Sequence, residues 1–87
     1  MPRVWIPPQM QHLTNGEAVV EVDGGRVSEV IDALEARFPG IRERLLEGDA
    51  LRPGISVVVD TQVSHLGLLE SVRPESEVHF LPAIGGG

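Results

Sequence analysis

Val4, Trp5 and Ile6 form a short β-branched and aromatic run that Pro7-Pro8 cuts off, and Ala18 to Val22 resumes that character after the polar stretch Gln9 to Glu17. The pattern predicts two strands of one hairpin. Asn15-Gly16 supplies a turn between them because both residues tolerate positive φ, and Asp23-Gly24-Gly25 closes the second strand. From Val27 the period changes. Val27, Val30, Ile31, Leu34 and Phe38 recur at spacings of three and four, while Ser28, Glu29, Asp32, Glu35 and Arg37 take the other faces. This predicts an amphipathic helix over 27–38, stopped by Pro39-Gly40, with Ile41 to Leu46 adding one or two helical turns. A loop containing Gly48 and Pro53-Gly54 follows, then a β-branched strand Ile55 to Val59, a turn Asp60-Thr61-Gln62 and a short return strand from Val63. Gly67 to Val72 reads as a loop or single turn. After the polar turn Arg73-Pro74-Glu75-Ser76, residues Glu77 to Leu81 alternate Val78 and Phe80 with His79 and Leu81, which predicts the last strand.

Strand, strand, helix, strand, short strand, strand is an α+β order. It predicts a mixed sheet of four to five strands with one main helix packed on one face. The simplest closure is a β-grasp, with the first and last strands parallel at the centre. Residues 1–81 make the domain and residues 82–87 a flexible C-terminal glycine tail. Alternation adds a face: if Val4, Ile6, Val78 and Phe80 point to the helix, then Trp5, His79 and Leu81 point away from it on neighbouring strands. Exposed together, Trp5 and Leu81 suggest a partner surface with Trp5 as its anchor.

Composition narrows the function classes. A chain of 87 residues buries about 60 to 65% of its unfolded surface, which leaves little interior for a catalytic cleft. Thirteen acidic against seven basic groups give a formal charge of −6, which opposes binding to nucleic acid or an anionic membrane. No apolar run reaches the roughly 20 residues of a membrane helix and the start does not read as a signal peptide, so a cytoplasmic protein is expected. With no cysteine, no thiol can carry a persulfide or act as nucleophile. His12, His65 and His79 fall in three segments without metal-ligand spacing, so no metal site is expected. Asp32, Glu35, Glu43 and Glu47 have the spacing of a solvated helix face with weak arginine pairs. Asp23-Gly24-Gly25 lacks the phosphate-loop pattern, and Ser28 is a helix-start residue with no His or Asp arrangement around it.

The chemistry gathers at the end. Pro82-Ala83-Ile84-Gly85-Gly86-Gly87 reads as a slim tail; six residues span about 20 Å at roughly 3.3 to 3.6 Å each, enough to thread a narrow channel while the body stays outside. Phe80-Leu81-Pro82-Ala83-Ile84-Gly85-Gly86-Gly87 resembles the ending of the ubiquitin-like sulfur carriers, the MoaD/ThiS family of the molybdopterin-synthase small subunit and the thiamine sulfur carrier. Ile6-Pro7, the helix Val27 to Phe38 with Pro39-Gly40-Ile41, and Val57-Val58-Val59-Asp60 resemble its longer branch, which includes carriers for cysteine synthesis. Asp60 stands where that family commonly has Asn, Glu75-Ser76-Glu77 replaces a Gly-Asp-Glu turn, and Gly85 replaces Ala or Ser.

The resemblance implies that the chain is a co-substrate or small subunit rather than an enzyme, and that no cofactor is bound. A ubiquitin-activating-like partner consumes ATP to adenylate the carboxylate of Gly87, and a desulfurase- or rhodanese-type donor supplies sulfur. The resulting thiocarboxylate serves a downstream synthase, with cysteine synthesis favoured over molybdopterin, thiamine or another sulfur metabolite. Gly85 and Gly86 would thread the partner's active site, while Trp5, Leu81, Pro82 and Ile84 would contact the partner. All seven cations are arginine. Arginine bias in a GC-rich genome accounts for this, and it also removes side-chain amines that an activated tail would acylate. Two other readings stand beside the carrier: a protein modifier joined to lysines by the same activation, and a β-grasp binding module with an inert tail.

Overall fold

In the computed structural model, which describes residues 1–82, strands β1 (Arg3–Trp5) and β2 (Val19–Glu21) form the expected antiparallel hairpin with Val4 opposite Val20. Ile6 prolongs it by donating its N–H to the Ala18 carbonyl at 2.8 Å. Pro7-Pro8 ends the strand, but Pro8–Thr14 then winds into a 3-10 helix where the sequence suggested a polar loop. Packing decides this. Met10 and Leu13 lie against the core, and Thr14 is buried with its hydroxyl 2.8 Å from the Glu17 carbonyl. Asn15 and Gly16 take the expected positive φ, 56° and 83°.

Helix α1 (Val27–Arg37) buries Val27, Val30, Ile31 and Leu34, the stripe that its period predicts, and Phe38 caps its end. Its start is crowded. A Cβ on Gly24 would lie 2.8 Å from the backbone nitrogen and Cγ2 of Val30, so a side chain there displaces the helix. Gly40, at φ 104°, turns the chain into the short helix α2 (Ile41–Leu45). The expected loop beyond contains a small hairpin, β3 (Leu46–Glu47) with β4 (Ala50–Leu51), which pairs Leu46 with Leu51. Two-residue strands carry no readable period, and the burial of Leu46 is a tertiary fact.

Strand β5 (Ile55–Val59) turns through Asp60 and Thr61, both at positive φ, into β6 (Gln62–Val63), and a 3-10 turn spans Gly67–Leu69. The last strand, β7 (Glu77–Pro82), pairs parallel with β1 and antiparallel with β5. Five strands lie in the order β2-β1-β7-β5-β6, with the first and last paired at the centre. This is the ubiquitin-like β-grasp. Its core is aliphatic apart from Phe38 and Phe80, and lies between α1 and the sheet face carrying Val4, Val20, Val57 and Val78. One boundary moves by a residue: Pro82 still pairs with Ile55, so the ladder runs past Leu81. β1 pairs with β7 only as far as His79, so at Pro82 the strand has a partner on the β5 side alone, and a proline is tolerated at such a local edge.

Candidate functional site

β1 and β7 run side by side in the same direction, so the residue types at their ends decide what surrounds the base of the tail. Val4, Ile6, Val78 and Phe80 are buried against the helix, at 4% exposure or less. Alternation then turns Trp5, His79 and Leu81 to the open face, as the sequence predicts. The rings of Trp5 and His79 stack with centroids 4.5 Å apart and planes 14° from parallel, and Leu81 is 47% exposed. Trp5, Pro7, Pro8, His79 and Leu81 line a shallow groove of about 180 Å³ beside the root of the tail.

Register extends this patch beyond what local alternation reveals. Trp5 pairs with Val19 on one side and His79 on the other, His79 pairs with Val58, and Val58 pairs with Val63. A row of five side chains therefore crosses the open face from one sheet edge to the other, apolar except for its imidazole. Val19, Val58 and Val63 belong to it, and no signal within their own segments identifies them as such. A second row, Glu21, Arg3 and Glu77, lies farther from the tail. The face is thus apolar near the tail root and charged behind it.

The turn that launches β7 is locked from across the sheet. The Ser76 hydroxyl donates to Asp60 Oδ2 at 2.6 Å and the Glu77 N–H to Asp60 Oδ1 at 2.9 Å, with Arg73 3.8 Å away. The Ser76 hydroxyl above all, then the Glu77 amide, holds the Asp60 carboxyl below its ordinary value. Two departures from the family pattern, Asp60 and Ser76, are therefore hydrogen-bonded partners. Glu35 differs from the solvated carboxylate expected of it. Its oxygens accept the N–H groups of Arg42 at 2.9 Å and Gly40 at 3.1 Å, and these amides lower its pKa. It is a cap for α2. Asp32 and Glu47 do make the loose surface pairs expected, with Arg42 at 3.3 Å and Arg52 at 3.7 Å.

Among the described residues no three His, Asp or Glu side chains gather as a metal site, and no helix is long and apolar enough to cross a membrane. Asp23-Gly24-Gly25 is a helix approach, with the Gly25 N–H held by Glu29 Oε1 at 2.7 Å. The structure brings Trp5 and Leu81 to one face and Pro82 to the strand end. Ile84, Gly85, Gly86 and Gly87, the other expected site residues, lie outside the described residues.

Similarity to known proteins can be set against this geometry. The sulfur carrier protein CysO of Mycobacterium tuberculosis is 32% identical over 91 residues, spanning 97% of this chain and 96% of that protein. A chain of the Amycolatopsis orientalis BexX/CysO complex superposes with a TM-score of 0.93 at 35% identity, with both chains covered in full. Small archaeal modifier protein 1 of Methanosarcina acetivorans, at 20% identity and a TM-score of 0.82 over 99% of this chain and 95% of that one, shares the fold. The profile of the ThiS family matches residues 4–87, nearly the whole length, and the chain belongs to that family.

Proposed function

We propose that this protein is a sulfur carrier whose Gly87 carboxylate is activated, converted to a thiocarboxylate and used as the sulfur donor in a biosynthetic reaction, with cysteine synthesis favoured. The observation that carries the reading is the near full-length similarity to sulfur carrier proteins named CysO, together with a family match that runs to residue 87. The chemistry fits the residues present. A carboxylate is a poor electrophile. Its oxygen attacks the α-phosphorus of ATP on a ubiquitin-activating-like enzyme, pyrophosphate leaves, and the acyl-adenylate then accepts a sulfur nucleophile at the carbonyl carbon as AMP departs. A desulfurase- or rhodanese-type protein supplies that sulfur as a persulfide, since this chain has no cysteine on which to hold it, and a thiol then cleaves the resulting acyl disulfide, leaving the thiocarboxylate and a disulfide.

In this reading the chain is a protein co-substrate with no bound cofactor, and ATP-dependent activation places its work in the cytoplasm. Trp5 and Leu81 dock on the activating enzyme, Pro82 and Ile84 guide the tail, and Gly85 and Gly86 occupy the channel, where the absence of Cβ atoms permits close passage. The row through Trp5, His79 and Val58 supports such a docking role, since an apolar stripe at the root of the tail brings enzyme and carboxylate together. Intact mass spectrometry after incubation with an activating enzyme, ATP and a sulfide source tests it. One oxygen replaced by sulfur, absent from a chain lacking Gly87, is the expected result. No such change with competent enzymes overturns the reading. Conjugation to lysines has weaker support, because the likeness to small archaeal modifier proteins at 20 to 22% identity concerns the fold alone.

A further inference from the structure

His79 is the one titratable member of the row that crosses the open face, and it stands at the centre: Val19 and Trp5 lie to one side of it, Val58 and Val63 to the other. Its ring lies flat on Trp5, with centroids 4.5 Å apart, and its side chain is 33% exposed. The stacked pair lines the groove of about 180 Å³ together with Pro7, Pro8 and Leu81, none of which carries a charge. Histidine is the side chain type whose charge changes between about pH 5 and 8, so the row exists in two forms. With the imidazole neutral it is an uncharged stripe from one sheet edge to the other. With the imidazole protonated it carries a cation at its middle.

The groups around the ring decide which form a partner can cover. On β7, Glu77 Oε1 lies 3.9 Å from Nε2, and on β1 the indole face of Trp5 attracts a cation. Arg3, in register with Glu77, and Glu21, in register with Arg3, form the charged row behind. β5 sets Val58 opposite His79, and Asp60 at its end already accepts the Ser76 hydroxyl and the Glu77 amide, with Arg73 3.8 Å away. β6 adds Gln62 and Val63, both uncharged. In the free chain, water at the exposed third of the ring completes the support of an imidazolium. A partner seated on the row removes that water, and Glu77 at 3.9 Å is beyond hydrogen-bond reach. A charge covered without a hydrogen-bonded partner sheds its proton. A partner complementary to a chain of charge −6 is itself electropositive, which opposes the imidazolium a second time.

We propose that His79 makes docking on this face proton-linked: the face receives the activating enzyme with the imidazole neutral, docking releases a proton, and docking weakens as pH falls through the titration of His79. The identity of the partner rests on the sulfur-carrier reading, whereas the two forms of the face do not. When only a fraction of a protein is competent to bind, its apparent dissociation constant rises by the inverse of that fraction, so each pH unit below the midpoint weakens docking about tenfold. Acidification thereby slows activation of the carrier without touching the reacting carboxylate.

Trp5 is the only tryptophan of the chain, so its fluorescence reports on the ring stacked against it. An imidazolium in contact with an indole quenches its emission. The full chain is expected to lose intensity in one step as pH falls from about 8 to 5, and His79→Gln and His79→Phe are each expected to abolish it, since His12 and His65 lie in other segments. kcat/KM for the carrier is then measured with the activating enzyme over the same range for all three chains, each checked for folding by thermal melting. Dividing the unsubstituted chain's value by a variant's cancels the enzyme's own titration. That ratio is expected to fall about tenfold per pH unit below the fluorescence midpoint, with the change carried by KM. No fluorescence step, or one that survives both substitutions, overturns the two-form face. A ratio constant with pH overturns the docking linkage, and a ratio that rises as pH falls overturns its sign, assigning the imidazolium a carboxylate on the enzyme. If competent enzymes activate the unsubstituted chain at no pH, the carrier reading fails and the docking linkage with it, while the fluorescence step is decided on its own.

Discussion

Trp5 joins the structure to the proposed function most directly, since its ring stacks on His79 and it lines the groove beside the end of β7. Trp5→Ala is expected to raise the activating enzyme's KM for the carrier about tenfold or more with little change in kcat, because docking is lost and the reacting carboxylate is untouched. Steady-state thiocarboxylation kinetics check this. Loss of the stack itself costs about 0.5 to 1.5 kcal/mol of stability, small enough for the variant to remain folded. Gly24 marks the opposite kind of residue, important for packing alone. Gly24→Ala drives a methyl against the Val30 backbone nitrogen at 2.8 Å and is expected to destabilise by about 1 to 3 kcal/mol, read from the urea midpoint. Both positions were legible only in part. Alternation turns Trp5 to the open face but does not foresee that it is half-buried there, stacked on a histidine from the far end of the chain, and a glycine after Asp23 reads as a turn whether or not a helix crowds it.

Helix α1 is the element whose energetics follow most directly from its pattern. Leu34 is fully buried under it, and Leu34→Ala is expected to cost about 2 to 5 kcal/mol in denaturant unfolding, through lost transfer energy and the cavity left behind. The β5–β6 turn shows a different form of support. Asp60 ties that turn to the start of β7 through Ser76 and Glu77, so an ionised carboxylate helps set the strand that leads to the tail. Its pKa in the folded chain lies below the ordinary 3.8, so the folded state binds protons less readily than the unfolded one. The stabilisation is therefore complete above that ordinary value and is lost as pH falls through the lowered folded value. Glu35, lowered from 4.5 by the amides it caps, adds in the same direction. Asp60→Asn keeps an acceptor for the Glu77 amide but removes the ionisation. Its stability is expected to fall less steeply than that of the unsubstituted chain below about pH 4, in denaturant titrations across the acid range.

At the scale of the whole molecule, the proposed function divides the work between a body that packs and a C-terminal segment that would react. Removing Gly86 and Gly87 is expected to leave the thermal midpoint unchanged while abolishing thiocarboxylate formation, since glycines have no side chain to bury and the proposed reacting carboxylate goes with them. Calorimetry paired with intact mass measures both. The sequence by itself determined the order of the main elements, the buried stripe of α1, the inward and outward faces of β1 and β7, and the chemistry offered by a glycine-ended, cysteine-free chain. These follow from short periods and local turn chemistry, in which each residue informs on its near neighbours. Tertiary structure alone decided the row from Val19 to Val63, the Glu35 cap and the β3–β4 hairpin. Each depends on which distant segments meet and in what register, and hydrogen-bond pairing across strands and helix ends fixes that only when the whole chain has closed around its core.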